Sequence, residues 1–367
     1  MKTYEETLYE LALADERILV LTAENRAAIR GLPEKLGARC IDVGIAEQTM
    51  IGAAAGLALA GRVPVCHSLA TFLTLRAFEF VRTDVGIARL PVKLVGGVPG
   101  FLSDGNGPTH QALEDISLMR GIPNMQVFCP ADQAELVAML PAILQSSDPA
   151  YVRYNASKPV VEHAPFAVGQ AETFGEGTDV ALLTFGFLLE HVKRAAELLE
   201  ARGVGVRLVN LRTLKPIDER AVVRAARDAR LLVTIEDHFR TGGLYSIVAE
   251  TLLAQRLTAK TLPIALEERW FRPATLPRVL EHEGFTGEKL AARVFFTGGA
   301  SAALSARGQD ERVSEHLRIE SLVRARRGAD SRGHADARQG RRSIRERRRA
   351  EVCGARRRVA PLGRRRQ

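Results

Sequence analysis

Residues 40–59 read CIDVGIAEQTMIGAAAGLAL, and this segment decides the fold expected for the first half of the chain. Its first four residues form a short apolar run closed by Gly44, which is typical of a buried strand. From Ala46 onward, alanine and glycine predominate over a length that suits a helix, and their small side chains allow close packing. A strand that leads directly into a helix is the repeating unit of an α/β fold.

The same alternation continues along the chain. In the first half, strands are predicted at residues 18–21, 40–43, 63–67, 90–95, 126–129 and 151–154, with helices at 46–59, 72–88 and 131–144. In the second half, strands are predicted at 179–184, 206–211, 231–236 and 261–266, with helices at 188–202, 219–229 and 243–257. This pattern predicts two α/β domains, each with a mainly parallel sheet flanked by helices.

The domain boundaries are predicted from the places where this pattern stops. Residues 159–178 contain scattered prolines and glycines without a sustained period, which indicates a linker. The predicted organisation is a first domain at 1–158, this linker, a second domain at 179–296 and a tail at 297–367.

The positive charge of the chain belongs to its tail. The whole sequence has a net charge of +9, but residues 301–367 contain 20 Arg and no Lys against 8 acidic residues, a net charge of +12. Residues 1–300 therefore carry a net charge of −3. Because a segment without aromatic residues buries too little apolar surface to order itself, residues 297–367 are predicted to be disordered. The abrupt change of composition also suggests a frameshifted coding end.

The composition argues against several classes of protein. No run approaches the roughly 20 apolar residues that span a bilayer, and the first residues are acidic where a signal peptide would be basic. The protein is therefore expected to be cytoplasmic, without a membrane partner. Its four cysteines lack the spacing of a zinc site or a disulfide framework, so no metal site is predicted within this chain.

Three candidate functional residues each follow a successive predicted strand. Glu47 begins a helix, Phe72 lies in the turn SLATFL, and His110 lies in the glycine-rich loop GNGPTHQ. A lone glutamate at a helix start often only satisfies the helix dipole, and a lone histidine is often structural. Because ligands bind at the carboxyl ends of parallel strands, the occurrence of all three in order favours a ligand site.

These motifs resemble those of known enzymes. The order GIAEQ, ATFLTLRAFEF and GPTHQALEDISLMRGIPNMQVFCPADQAE resembles the pyrimidine-binding domain of transketolases and deoxyxylulose-phosphate synthases. Downstream, VNLRTLKPID and VTIEDHFRTGGLYSIVAE resemble the C-terminal domain of the same superfamily. The resemblance implies the C-terminal subunit of a split transketolase, which uses thiamine diphosphate to transfer a two-carbon ketol unit from a ketose to an aldose.

The resemblance also implies roles for residues at the cofactor. Glu47 matches the glutamate that hydrogen-bonds the pyrimidine nitrogen N1′, and Phe72 matches the aromatic residue that stacks on that ring. Phe78 resembles a second wall of the pocket, and Leu75 stands where many transketolases have another aromatic residue. Glu24 lies near the position of a family acidic residue close to the thiazolium.

A second group of residues resembles substrate contacts. His110 matches the loop histidine that contacts substrate oxygens and assists proton transfer, and Asn106 stands where typical transketolases have Asp. Arg76 resembles an arginine of the deoxyxylulose-phosphate synthases. The phosphate-clamping arginine of the family is replaced at about Ala156, although Arg153 is close by. Since arginine is the natural bidentate ligand of phosphate, its loss implies an altered or unphosphorylated sugar.

The resemblance further implies a partner subunit. Full-length transketolases have a preceding domain that holds Mg²⁺ and the diphosphate through a GDG motif and a downstream Asn, whereas this chain begins at the pyrimidine domain. The similar stretch SDGNG at residues 103–107 is interpreted as a substrate-side loop and rejected as a metal motif. An N-terminal, diphosphate-binding subunit is therefore expected, in an α2β2 heterotetramer.

Alternative functions stay open at this point. The β-subunit of a 2-oxoacid dehydrogenase has the same two-domain plan, although the GPTHQ loop and the ATFLTLRAFEF turn favour transketolase. A nucleic-acid-binding protein would use the Arg tail for salt-dependent phosphate contacts. That tail lacks interleaved aromatic residues, so no nucleic-acid partner is expected. A non-catalytic half that only scaffolds a partner is disfavoured because Glu47, Phe72 and His110 occur together.

Overall fold

The computed structural model describes residues 2–297, which form two α/β domains with one sheet each. The predictions for the tail beyond residue 297 lie outside the described residues. Within that range, the prediction of two mainly parallel sheets flanked by helices is confirmed. No helix in the described range is long and apolar enough to cross a membrane.

The strands are short and mostly buried. In chain order they are β1 Ile18–Thr22, β2 Cys40–Asp42, β3 Val63–Leu69, β4 Lys93–Gly97, β5 Gln126–Phe128, β6 Ala150–Arg153, β7 Glu172–Phe174, β8 Val180–Thr184, β9 Val206–Asn210, β10 Thr213–Lys215, β11 Leu231–Phe239 and β12 Thr261–Leu266. Strands β7 and β10 were not predicted, because three residues are too few to show a hydrophobic period.

Helices connect most of these strands. They are α1 Tyr4–Ala14, α2 Leu32–Leu36, α3 Glu47–Leu59, α4 Phe78–Phe80, α5 Asp115–Arg120, α6 Gln133–Gln145, α7 Leu189–Glu200, α8 Glu219–Asp228, α9 Leu244–Ala254, α10 Leu276–Glu283 and α11 Gly287–Thr297.

The strands form two sheets whose order differs from their order in the chain. The first sheet runs β10–β5–β6–β4–β3–β1–β2, and the second runs β12–β11–β8–β9–β7. All pairs are parallel except β10 with β5 and β7 with β9, which lie at the edges. Strand β10 follows β9 in the chain but joins the first sheet. The second half of the chain therefore contributes an edge strand to the sheet of the first half.

Helices cover both faces of the first sheet. On one face, Leu8 of α1 packs with Val20. On the other face, Met50 of α3 and Val81 pack with Leu21. Because successive residues of a strand point to opposite faces, Val20 and Leu21 belong to different cores.

The predicted helix at residues 72–88 is helical in the structure but is not a regular α-helix. It consists of two π-helical turns, Phe72–Arg76 and Val81–Gly86, on either side of α4. The Ala77 N–H donates to the Phe72 carbonyl at 3.1 Å, five residues back. Such π-turns inside helices are frequent at functional sites.

Candidate active site

The first sheet presents the three candidate residues at one edge. Glu47 is the first residue of α3, which follows β2; Phe72 lies three residues after β3; and His110 follows the loop after β4. These strands are neighbours or next neighbours in a parallel sheet, so their carboxyl ends meet at the same edge.

Glu47 is a buried carboxylate with two polar partners. Its residue surface is 1% exposed. The Ser68 hydroxyl donates to Oε1 at 3.1 Å, and Nη1 of Arg76 donates to Oε2 at 2.8 Å. The start of α3 adds the partial positive charge of a helix N-terminus, which favours a carboxylate. Two hydrogen bonds therefore orient Glu47 inside the site.

Arg76 and His110 both contact the ring of Phe72 beside this carboxylate. The guanidinium carbon of Arg76 lies 4.0 Å from the Phe72 ring centroid. The imidazole of His110 meets the same ring edge-on, with centroids 5.3 Å apart. Thr109 Oγ1 is 2.8 Å from His110 Nδ1, so the threonine hydroxyl orients the imidazole. The structure thus brings Glu47, Arg76, Phe72 and His110 together.

A glycine in β4 allows the turn that carries Phe72 to come this close. A Cβ atom on Gly96 would lie 3.1 Å from the Cα of Ala70 and 2.9 Å from the ring of Tyr151. A side chain at position 96 would therefore push the turn after β3 away from the sheet. This spacing requirement explains why a glycine ends the strand beneath Phe72.

The loop that carries His110 is held by the second half of the chain. Asp104 Oδ2 accepts a hydrogen bond from the N–H of Leu276, the first residue of α10, at 3.0 Å. Gly107 has a φ of +71°, and a Cβ there would lie 2.5 Å from Cγ of Pro273. Asp104 Oδ1 accepts from the Gly105 N–H. Both carboxylate oxygens of Asp104 therefore accept hydrogen bonds, one from its own turn and one from α10.

The remaining predicted cofactor and substrate residues lie around this centre. Phe78 is half-buried and packs against the core that contains α3. Leu75 is exposed, as is Asn106 in the loop. Glu24 is also exposed, has a φ of +60° and donates its N–H to Asp42 Oδ1 at 3.1 Å. These positions do not by themselves assign a role.

Arg153 lies away from any surface open to a substrate. Its Nε donates to Asp115 Oδ2 at 2.9 Å and its Nη1 to Asp237 Oδ1 at 2.8 Å, and the residue is 3% exposed. Burial opposes its charge, but the two carboxylates raise the pKa of Arg153 well above its usual value. Asp115 lies on α5 and Asp237 on β11 of the second sheet. Arg153 therefore joins the two domains, and we do not carry forward the prediction of a substrate contact.

Sequence reasoning missed the roles of Ser68 and Asp104. Ser68 was recognised as part of the turn before Phe72, but its hydrogen bond to Glu47 depends on the packing of β3 against α3. Asp104 was recognised only as part of a look-alike motif. Nothing local in the sequence signals its bond to Leu276, which is 172 residues away.

A family-model match covers each half of the chain. Residues 1–159 match the model "Transketolase, pyrimidine binding domain", and residues 169–290 match "Transketolase, C-terminal domain". The chain is 41% identical over 256 residues to the 6-deoxy-6-sulfo-D-fructose transketolase subunit SqwH of Clostridium sp. (strain MSTE9), covering 68% of this chain and 79% of that protein. The chain belongs to the transketolase family.

Other similarities agree with this membership. A protein of Methanocaldococcus jannaschii described as "Putative transketolase C-terminal section" is 33% identical, covering 80% of this chain and 94% of that one. The chain spans about half the length of the 1-deoxy-D-xylulose-5-phosphate synthases that it matches. One of them, from Synechococcus, is 34% identical, and the match covers 46% of that protein.

Solved structures show the same fold. The chain of a split gene transketolase, described as an inactive β4 tetramer, has a TM-score of 0.71 at 32% identity, covering 79% of this chain and 94% of that one. A transketolase from Pichia stipitis, at 20% identity and a TM-score of 0.67, covers 82% of this chain and 45% of that one. The second similarity is evidence for the fold alone.

Membership of the transketolase family implies dependence on thiamine diphosphate, and the site fits one part of that cofactor. A buried carboxylate beside a half-buried aromatic ring suits a flat heterocycle with a ring nitrogen. The diphosphate and its metal need several oxygen ligands together. Among residues 2–297, the single group of three or more His, Cys or acidic residues with ligand atoms within 4.8 Å of one another is Glu135, His163 and Glu172.

Positively charged side chains already contact the carboxylates of this group. Arg212 Nε lies 3.2 Å from Glu135 Oε1. His163 lies between Asp132 and Glu172, with its ring nitrogens 2.8 Å from a carboxylate oxygen of each. Burial opposes protonation, but the two hydrogen bonds outweigh it and raise the pKa of His163 to about 10. A protonated histidine and an arginine therefore already balance the charges of Glu135 and Glu172.

Proposed function

We propose that this chain is the C-terminal subunit of a thiamine-diphosphate-dependent transketolase, which transfers a two-carbon ketol unit from a ketose to an aldose. The observation that carries the proposal is the buried carboxylate of Glu47, held by Ser68 at the edge of a parallel sheet beside Phe72 and His110. The family membership of the chain supports the same reaction.

Three side chains perform the work that this chain contributes. Glu47 hydrogen-bonds the ring nitrogen of the pyrimidine and shares a proton with it. Phe72 stacks on the same ring, a contact worth roughly 0.5–1.5 kcal/mol beyond burial. His110 holds or moves a proton at a hydroxyl oxygen of the sugar. The bound cofactor supplies the carbon nucleophile that carries the two-carbon unit.

A partner subunit completes the site in this proposal. It would hold the diphosphate and Mg²⁺ and form an α2β2 heterotetramer with this chain. Exposed large apolar side chains support such an interface, because five of the nine in the described range fall between residues 45 and 87, the segment that carries Glu47 and Phe72. They are Ile45, Leu59, Leu75, Phe80 and Ile87. Large exposed apolar side chains are a feature of surfaces that bind another protein.

The sugar is proposed to differ from an ordinary sugar phosphate. Ala156 stands near the position of the family's phosphate-clamping arginine, and the nearby Arg153 is buried in an ion pair. The similarity to a 6-deoxy-6-sulfo-D-fructose transketolase subunit makes this sulfonated ketose the first donor to test. A panel of sulfonated, phosphorylated and unmodified ketoses, compared by kcat/KM, would rank them.

Reconstitution tests the proposal. The chain is purified alone and together with a diphosphate-binding transketolase subunit from the same source, and thiamine diphosphate with Mg²⁺ is titrated into each sample. We expect tight binding and ketol transfer only in the mixture. Tight, metal-dependent binding by this chain alone, or the absence of ketol transfer with every sugar once binding is complete, would overturn the proposal.

A further inference from the structure

Arg76 makes both contacts that the proposed function assigns to the pyrimidine ring. Its Nη1 donates to Glu47 Oε2 at 2.8 Å, which is the hydrogen bond expected of the ring nitrogen. Its guanidinium lies 4.0 Å from the centroid of Phe72, which is the stacking distance expected of the ring face. One flat, nitrogen-bearing group of this chain therefore uses the carboxylate and the aromatic ring at the same time.

The chemistry of the guanidinium explains why it can do this. It is planar, carries N–H donors along its edges and stacks on aromatic faces, in the way that an aminopyrimidine does. Lysine carries the same charge but has no planar group. A cation over the face of the Phe72 ring is attracted by the negative face of the π-system.

The burial of Glu47 explains why the site needs such a group. A buried carboxylate without a charged or hydrogen-bonding partner is strongly destabilising. Ser68 satisfies only one oxygen of Glu47, and Arg76 satisfies the other. The side chain of Arg76 is 39% exposed, whereas that of Glu47 is 2% exposed, so the arginine reaches the carboxylate from the solvent side. It can leave in that direction without disturbing the core.

We propose that Arg76 is an internal stand-in for the pyrimidine ring, which occupies the ring's place until the cofactor displaces it. This inference rests on the proposed function and deepens it, because it names a competitor for the same site. Arg76 is then neither a substrate ligand nor a catalytic residue. It is a positioning residue that keeps the Glu47 carboxylate hydrogen-bonded and aimed while the site is empty, at the expense of cofactor affinity.

Cofactor binding to the reconstituted complex tests this inference. The variants Arg76→Ala and Arg76→Gln remove the charge, Arg76→Lys keeps it, and Arg224→Ala on α8 removes an exposed arginine elsewhere. We expect Arg76→Ala and Arg76→Gln to lower the Kd for thiamine diphosphate by about threefold to tenfold, because the contacts of Arg76 no longer compete. Arg76→Lys should lie between them and the unaltered protein, and Arg224→Ala should match the unaltered protein.

Binding rates give a readout that a purely structural role would not change. If Arg76 must leave first, the observed rate of binding in the unaltered complex should level off at high cofactor concentration. In Arg76→Ala it should keep rising in proportion to concentration. A Kd that is unchanged or raised in both Arg76→Ala and Arg76→Gln would overturn the inference. Failure of the unaltered complex to bind thiamine diphosphate would instead overturn the proposed function.

Discussion

At the scale of single residues, the site depends on how one carboxylate is held. Glu47 begins α3 inside the protein, and Ser68 and Arg76 each donate to one of its oxygens. The carboxylate is therefore aimed before any ligand arrives. Such preorganisation is where an active site gains most of its electrostatic effect.

Replacement of Glu47 by Gln should remove this effect without disturbing the shape of the site. We expect Glu47→Gln to lower kcat for ketol transfer by at least about a hundredfold, because a neutral amide cannot share a proton with the cofactor's ring nitrogen. Glu79→Gln, an exposed position in the next helical turn beyond Arg76, is the matched control. The prediction is checked by steady-state kinetics of the reconstituted complex, and near-normal turnover in Glu47→Gln would contradict it.

Ser68 should matter less than Glu47 but in the same direction. Ser68→Ala leaves Oε1 of a buried carboxylate without its donor, which costs about 1–3 kcal/mol. We expect kcat to fall by about tenfold, since roughly 1.4 kcal/mol corresponds to a factor of ten in rate. Ser147→Ala at an exposed position serves as the control, and kcat and Tm are measured for both. Equal values for the two variants would show that Ser68 does not position Glu47.

At the scale of elements, contacts with the second domain hold the loop Gly100–Thr109, which directly precedes His110. Phe101 meets Phe271 edge-on with centroids 5.4 Å apart, and Asp104 accepts from the first N–H of α10. Gly107 lies directly against Pro273. The loop is thus fixed by contacts to residues more than 160 positions later in the chain.

Two glycines of this loop provide a matched test. Gly107→Ala should weaken substrate binding, because alanine is disfavoured at a φ of +71° and its Cβ would lie 2.5 Å from Pro273. We expect KM for the sugar to rise several-fold and the Kd of thiamine diphosphate to stay unchanged. Gly105→Ala meets nothing within 4 Å and should behave as the unaltered protein. If both variants raise KM equally, contact with the second domain does not position the loop.

At the scale of the whole molecule, buried ion pairs join the two described sheets. Arg153 connects Asp115 with Asp237. His163, within the predicted linker, connects Asp132 at the start of α6 with Glu172 on β7. Since breaking a buried pair leaves an uncompensated charge, these contacts hold the domains in one arrangement.

The His163 contacts predict a dependence of stability on pH. The pKa of His163 is raised to about 10 in the folded chain, so its contribution to stability is full below about pH 6.5 and is lost as pH rises through 10. Burial raises the pKa of Glu135 to about 7, which acts in the same direction at lower pH. Between pH 7 and 10, the stabilising contribution of His163, which faces Asp132, Glu135 and Glu172, is therefore lost, whereas Lys93, whose pKa burial lowers to about 7, acts in the opposite direction.

Urea unfolding at several pH values checks this dependence. We expect His163→Gln to have a lower free energy of unfolding than the unaltered chain at pH 7, and this difference to shrink between pH 7 and pH 10. His282→Gln, at an exposed histidine, should retain the unaltered profile. Parallel profiles for His163→Gln and the unaltered chain would contradict the prediction.

The sequence by itself determined the two α/β domains and the placement of Glu47, Phe72 and His110 after successive strands. Strand and helix periods are local, and parallel strands bring successive carboxyl ends to one edge whatever the details of packing. The edge strand β10, the π-turns after Phe72 and the bonds of Arg76, Asp104 and Arg153 were decided only by the tertiary structure. Each of these depends on which distant groups meet in space, because a buried charge takes whichever partner the packing places beside it.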